Sequence, residues 1–160
     1  MLPRYVELQT LTAMKNYAAN FESSVNETSA FINHLARQLG HPEEPDRCYI
    51  ILRAVLHVVR DRITIGESLD LISQLPMILK GVYVEGWKYH EKPPLDFQSI
   101  EEMKDEVKKH QNQYGEKDFD WQRSTEEIIA ITLDSLKQYL SEGQVKHIKD
   151  QMPKEVKELF

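Results

Sequence analysis

The fold is decided by a stretch that occurs twice: residues 74–83 read QLPMILKGVY, and residues 151–160 read QMPKEVKELF. In each copy a proline removes a backbone donor from an otherwise helical segment and interrupts the helix. The copies are offset by 77 residues, and further positions match at that offset: Thr64 and Ser141, Gly66 and Gly143, Glu67 and Gln144, Lys80 and Lys157, Tyr83 and Phe160. A helix, its cap, a second helix and its proline break recur in register. This pattern indicates an internal duplication of a three-helix unit.

Outward from this stretch, apolar residues recur at spacings of three and four, which predicts an all-α protein. The expected helices cover about residues 5–22, 27–39, 46–62, 64–75, 77–85, 99–112 and 124–139, with a last helix that Ser141 caps. The polar stretch ESSVNETS is expected to separate the first two helices. The helix at 46–62 is apolar except for a narrow polar stripe, so we expect it at the centre of the fold.

The ends of several helices carry recognisable signals. Two capping boxes are predicted, TIGE at residues 64–67 and SIEE at residues 99–102, because a hydroxyl and an acid three residues later can satisfy each other's backbone amides. Gly86 is expected just beyond the C-terminus of the helix at 77–85. Trp87 should then pack back near Val82, as in a Schellman closure.

These signals predict one domain of 160 residues with four parts: an N-terminal helix (1–25), a first helical repeat (26–87), a proline-rich linker (88–98) and a second repeat (99–160). Each repeat is too small for a full core of its own. We therefore expect the two units to pack into one helical bundle.

The charge is negative and uneven. Residues 1–80 hold 8 basic and 9 acidic residues, and residues 81–160 hold 12 and 17, giving the net charge of −6. A basic face is needed for nonspecific binding to nucleic acid or anionic membranes, so neither partner is expected. No apolar run approaches the roughly 20 residues of a membrane span. A single cysteine, Cys48, fits a reducing cytoplasm, and no cofactor is indicated.

The candidate chemistry lies on the polar stripe of the helix at 46–62. His57 and Asp61 are four residues apart, so they share a face with Arg60, and a carboxylate there could orient the imidazole. A general base or a metal site could begin in this way, but one His and one Asp are too few ligands to indicate a metal. The alternative is a structural or solvated ion-pair stripe. In the second repeat the matching residues are Asp134, Lys137 and Gln138.

Tyr83 and Trp87 are the second group of candidate binding residues. Aromatic side chains beside basic groups are common at interfaces and in ligand clefts. The alternative is that Trp87 only covers the end of its helix. No catalytic motif and no metal-ligand spacing occurs in the sequence.

Three segments resemble a known family: RAVLHVVRDRI (53–63), QLPMILKGVYVEGW (74–87) and LSEGQVKHIKDQMPKEVKELF (140–160). They are similar, in this order, to the domain of unknown function 2267 family, over about residues 26–160. The resemblance implies an all-helical, duplicated fold in a cytoplasmic bacterial protein and implies no activity. Residues 1–22 extend beyond the family's usual start.

Two functions are compatible with the sequence. One is a non-enzymatic module that binds another protein or itself, for which the N-terminal amphipathic helix is the docking element. The other is a small-molecule site in a cleft between the two halves, near His57 and Trp87. An enzyme acting through His57 and Asp61 would be a special case of the second.

Overall fold

The computed structural model describes the backbone of residues 4–117 and 119–160, and the side chains of residues 20–117 and 119–160. Within these residues the protein is all-helical, as predicted, and no strand is present. Seven α-helices follow one another: α1 (Arg4–Leu39), α2 (Pro45–Arg62), α3 (Ile65–Gln74), α4 (Met77–Val84), α5 (Ile100–Gln113), α6 (Thr125–Leu136) and α7 (Glu142–Asp150). Short 3₁₀ turns follow α6 at Lys137–Tyr139 and α7 at Val156–Leu159.

The predicted break between the first two helices is wrong, because α1 is a continuous helix of 36 residues. The stretch ESSVNETS lacks glycine and proline, and two of its four hydroxyl groups bond to carbonyls within the helix. The Ser24 hydroxyl donates to the Asn20 carbonyl (3.0 Å), and the Thr28 hydroxyl donates to the Ser24 carbonyl (2.9 Å). Serine and threonine tolerate helix interiors in this way. The stripe predicted from Leu8 to Ala18 lies outside the described side chains.

The helix predicted to be central, α2, lies at the centre of the core. It contacts α1, α4, α5 and α6. Most of its residues are buried, and these include the polar side chains of His57 and Arg60. When a helix is buried on almost every side, its polar side chains need hydrogen-bond partners on the neighbouring helices. The candidate site consists of such contacts.

The predicted helix starts at Thr64 and Ser99 are confirmed, but the full capping boxes are not. The hydroxyls of Thr64 and Ser99 accept from the amides of the third residues of their helices, as expected. In a full box the acid would accept from the backbone amide of the N-cap residue. The Glu67 carboxylate instead accepts from the Gln144 side chain (2.5 Å), and the Glu102 carboxylate accepts from the backbone amide of Gln98 (2.7 Å). Among the described helices, a full box forms at the start of α6, between residues 124 and 127.

The proline-rich linker packs on the C-terminal end of α2. The Leu95 amide donates to the Asp61 carbonyl (2.9 Å), and Phe97 is buried beneath the Arg62 guanidinium at 5.3 Å. The linker therefore lies against the end of α2 that carries Asp61.

Candidate functional site

Arg60 holds the C-terminal end of α4. Its Nη1 donates to the carbonyls of Tyr83 (2.8 Å) and Glu85 (3.0 Å). The last carbonyls of a helix have no partner within that helix, and the negative end of the helix dipole favours a cation there. The guanidinium is buried, so these contacts replace water as its hydrogen-bond partner.

His57 joins three helices. Its Nε2 lies 2.6 Å from the Val82 carbonyl of α4, and its Nδ1 lies 2.6 Å from the Tyr114 hydroxyl at the end of α5. A carbonyl only accepts, so Nε2–H donates to Val82 and Nδ1 accepts from Tyr114. Burial lowers the pKa of His57 from 6.5 to about 4, although the hydrogen bond to Val82 opposes the shift. The imidazole is therefore neutral near pH 7.

These contacts explain why the predicted Schellman closure at Trp87 does not form. Gly86 has a positive φ of 64°, as expected for the residue after a helix. The Trp87 amide, however, donates to Val84 (3.0 Å), while the carbonyls of Val82 and Tyr83 accept from His57 and Arg60. The Val82 carbonyl also accepts from the Glu85 amide (3.4 Å), so side chains of α2 add to the local backbone bonds at the end of α4.

Asp61 contacts Arg60 rather than His57. The Arg60 Nε donates to one carboxylate oxygen at 2.8 Å, and Nη2 lies 3.3 Å from the other. Both nitrogens of the imidazole are already occupied. The geometry therefore provides no carboxylate that orients His57 for proton transfer.

Tyr83 is fully buried and Trp87 covers it. The Tyr83 hydroxyl lies 2.7 Å from the Ser68 hydroxyl of α3, and burial raises the pKa of the phenol well above its usual value. The Trp87 ring meets Tyr83 edge-on at 5.8 Å between centroids, and the Arg60 guanidinium lies 5.9 Å from the Trp87 centroid. The five candidate residues are therefore neighbours, but three of them lie below the surface or bond to backbone.

A shallow depression of about 80 Å³ lies outside this cluster. Of the five candidates, Arg60 and Trp87 line it, together with residues of α3 and the linker such as Ile65, Tyr89 and Pro93. Ligand pockets usually measure about 300–1,000 Å³. The depression is large enough for one side chain of a partner but not for a whole metabolite.

A wider hollow of about 600 Å³ lies between α5 and α6. Its wall is mainly charged and polar, with both cations and carboxylates, and includes Lys104, Lys108, Glu116 and Arg123. Phe119, Trp121 and Ile128 also line it, but they are a minority of the wall, whereas small-molecule pockets are lined mainly by apolar side chains.

The sequence missed two members of the cluster, Tyr114 and Glu85. Tyr114 lies 57 residues from His57 and packs under the Arg53 guanidinium at 3.8 Å. Arg53 Nη2 also donates to the Glu85 carboxylate (2.9 Å). A lone tyrosine at the end of a polar helix gives no signal in the sequence, so only the packing of α5 against α2 brings it to the site.

Large apolar side chains are exposed on α1, α3, α4 and the linker. On α1, Phe21 is 62% exposed and Val25 is 40% exposed. On α3, Ile65 and Leu69 are exposed as well, where the positions 77 residues later are Glu142 and Lys146. Single exposed apolar residues are normal on a protein surface, whereas a contiguous apolar patch is typical of a contact surface.

The described residues contain neither a metal-binding cluster nor a membrane-spanning helix. They contain no group of three His, Cys, Asp or Glu side chains that could hold a metal ion. None of their helices is both long and apolar enough to cross a membrane.

Comparison with known families gives one match. The model of the family described as uncharacterized conserved protein (DUF2267) matches residues 28–159. The chain belongs to the DUF2267 family. The match begins within α1, at the turn where Thr28 becomes buried, so the exposed pair Phe21 and Val25 precedes the DUF2267 region. No curated protein matches the chain.

Proposed function

We propose that this DUF2267 protein is a non-enzymatic interaction module that docks through the apolar face of α1. The observation that carries the proposal is the exposure of Phe21 and Val25. Both lie on the stripe that continues into the buried residues Thr28, Leu35 and Leu39, at spacings of three and four. The bundle covers that stripe from Thr28 onward, and none of the described residues buries Phe21 or Val25.

The titratable groups near α2 support a non-enzymatic role. His57 uses both ring nitrogens to connect α2 with α4 and α5, and Arg60 spans backbone carbonyls. A general base needs a free lone pair within reach of its substrate. These side chains instead serve the packing of a central helix.

The alternative, a small-molecule site near His57 and Trp87, has weaker support. The depression there is small, and His57 is buried and does not line it. Its apolar rim at Ile65 and Tyr89 suits a side chain of a protein partner. We place the protein in a reducing cytoplasm, a proposal supported by its single, buried cysteine, Cys48.

We also propose that the chain is one domain built from two similar halves that face each other. Reciprocal hydrogen bonds support this arrangement. The Thr64 amide donates to the Gln151 side chain, and the Ser141 amide donates to the Gln74 side chain, both at 2.8 Å. Each donor and each acceptor lies 77 residues from its counterpart. Contacts that exchange roles in this way are the signature of a two-fold interface.

An apolar gap of about 20 Å³ between the halves supports the same arrangement. Three matched pairs line it: Leu56 and Leu133, Val59 and Leu136, Leu71 and Ile148. Equivalent side chains meet at one point when two similar units pack about a common axis.

The reciprocal hydrogen bonds predict that Gln74 and Gln151 contribute equally to the stability of the protein. Replacing Gln74 or Gln151 with alanine should lower the free energy of unfolding by about 1–2 kcal/mol in each case, because each side chain makes two hydrogen bonds to the other half, at about 0.5–1 kcal/mol each. Chemical denaturation measures the loss. Gln98→Ala, which removes only contacts within the linker, is the control and should cost less than about 0.5 kcal/mol. A loss at one glutamine alone would contradict the paired arrangement.

The interaction surface is tested with Phe21→Glu. The matched control is Leu69→Glu, because Leu69 on α3 is exposed to nearly the same extent (58%). Both variants should keep the wild-type melting temperature, since neither side chain belongs to the core. Cross-linking of the purified protein, and of the protein in extracts of its source, should give complexes that Phe21→Glu loses and Leu69→Glu keeps. If no complex of any composition depends on Phe21, the proposed function is wrong.

A further inference from the structure

One hydrogen bond between the two halves joins a residue to its own counterpart, the residue 77 positions later. The Gln144 side-chain amide of α7 donates to the Glu67 carboxylate of α3 at 2.5 Å. In a two-fold arrangement, a residue can contact its own counterpart only at the axis. We call Glu67 and Gln144 the axial pair, because they mark the position of the axis that relates the halves.

The two members of the axial pair differ chemically although their positions are equivalent. A carboxylate only accepts hydrogen bonds, whereas a glutamine side chain can also donate one, and the charge on the acceptor strengthens the bond. The contact is shielded from water, because Gln144 is 4% exposed and the Glu67 side chain is 12% exposed. Two carboxylates facing each other at such a place could not both stay ionised without a large loss of stability.

The charges beside the axial pair follow the same division between the halves. On α7, His147 Nδ1 lies 3.9 Å from the Glu67 carboxylate, so the second half presents a donor and a basic side chain to this carboxylate. The counterpart of His147 is Asp70, one turn after Glu67 on α3. The first half thus carries two acids where the second half carries Gln144 and His147. Two first halves placed together about this axis would bring four acids together.

We infer that the axial pair makes the interface between the halves selective: the α3 surface accepts a second half and rejects another first half, including that of a second copy of this chain. This inference rests on the proposed arrangement of two similar halves and adds the residues that decide which halves pair. Specificity is strongest when one feature favours the right partner and also penalises the wrong one. Glu67 does both, because it binds Gln144 and repels the carboxylate of a second Glu67.

The selectivity is tested in the intact chain with Gln144→Glu, which gives both halves the same axial residue. The melting temperature at pH 7 should fall by roughly 5–10 °C, because two shielded carboxylates then face each other. Repulsion raises the pKa of one of these two carboxyls in the folded state, so the folded variant binds a proton more readily than the unfolded chain. The loss should therefore shrink as the pH falls toward 4.

The matched control is the double exchange Glu67→Gln with Gln144→Glu. It carries the same new carboxylate beside the same His147, but this carboxylate faces an amide. Thermal denaturation from pH 7 to pH 4 should show that the double exchange recovers at least half of the loss at pH 7. If Gln144→Glu is as stable as the double exchange at pH 7, or if the difference between them is independent of pH, the inference is wrong.

The inference and the proposed arrangement of the halves fail in different ways. If Gln74→Ala and Gln151→Ala lose stability equally while Gln144→Glu matches the double exchange, the halves pair as proposed, but the axial pair does not select between them. If the two glutamines also contribute unequally, the paired arrangement itself is wrong.

Discussion

Replacing Arg60 with alanine is expected to lower the free energy of unfolding by about 3–5 kcal/mol, the usual cost of removing one member of a buried charged network. The variant loses both hydrogen bonds to the end of α4 and leaves the Asp61 carboxylate without its partner. For a protein of this size the melting temperature should fall by roughly 10 °C. Thermal and chemical denaturation at neutral pH measure the change.

The matched control for this variant is Lys137→Ala. Lys137 occupies the position 77 residues after Arg60, but its side chain is 33% exposed and its ammonium pairs with Asp134 at 3.5 Å rather than with backbone carbonyls. Its replacement should change stability by less than about 0.5 kcal/mol. Arg60→Lys should fall between the two, because an ammonium cannot reproduce the planar fork of the guanidinium. If Arg60→Ala is as mild as the control, Arg60 does not hold α4, and its guanidinium becomes available for a ligand.

His57 is expected to make the protein less stable as the pH falls below 6.5. Burial lowers the pKa of His57 in the folded protein to about 4, while the unfolded chain keeps the ordinary value of 6.5. Between these two pH values the unfolded state binds a proton that the folded state does not bind. Stability from this group is therefore complete above pH 6.5 and is lost toward pH 4, by about 3 kcal/mol in total.

The measurement is chemical denaturation of the wild-type protein and of His57→Gln at several pH values from 7 to 4. Glutamine can still donate to the Val82 carbonyl, but it does not titrate. Acidic residues contribute to the pH dependence of both proteins, so the informative quantity is the difference between them. The wild-type advantage should shrink by about 3 kcal/mol as the pH falls to 4. If the free energies of unfolding of the two proteins change equally with pH, His57 has the same pKa in the folded and the unfolded state.

The helices themselves could largely be predicted from the sequence, because their signals are local. Pro76 ends α3 and Gly86 follows α4, since a missing amide and a positive φ are properties of single residues. The apolar residues on nearly all sides of α2 likewise predicted its position at the centre of the fold. The break at ESSVNETS was wrongly predicted, because polar residues can bond back to their own helix instead of ending it.

The candidate site could be predicted only in part. The sequence placed His57, Arg60 and Asp61 on one face, because residues three and four apart on a helix are neighbours. It could not show that the groups opposite them are backbone carbonyls of α4 and the hydroxyl of Tyr114. Partners of a buried polar side chain come from whichever element packs against it, and that element lies 23 or more residues away in each case.

The sequence by itself thus determined the all-helical fold and the ends of most helices, which depend on the order of neighbouring residues. The tertiary structure decided which polar groups of α2 are structural and which apolar groups stay exposed. Burial is a property of the whole packing: the same stripe of α1 is covered at Leu35 and bare at Phe21 because the bundle ends between them.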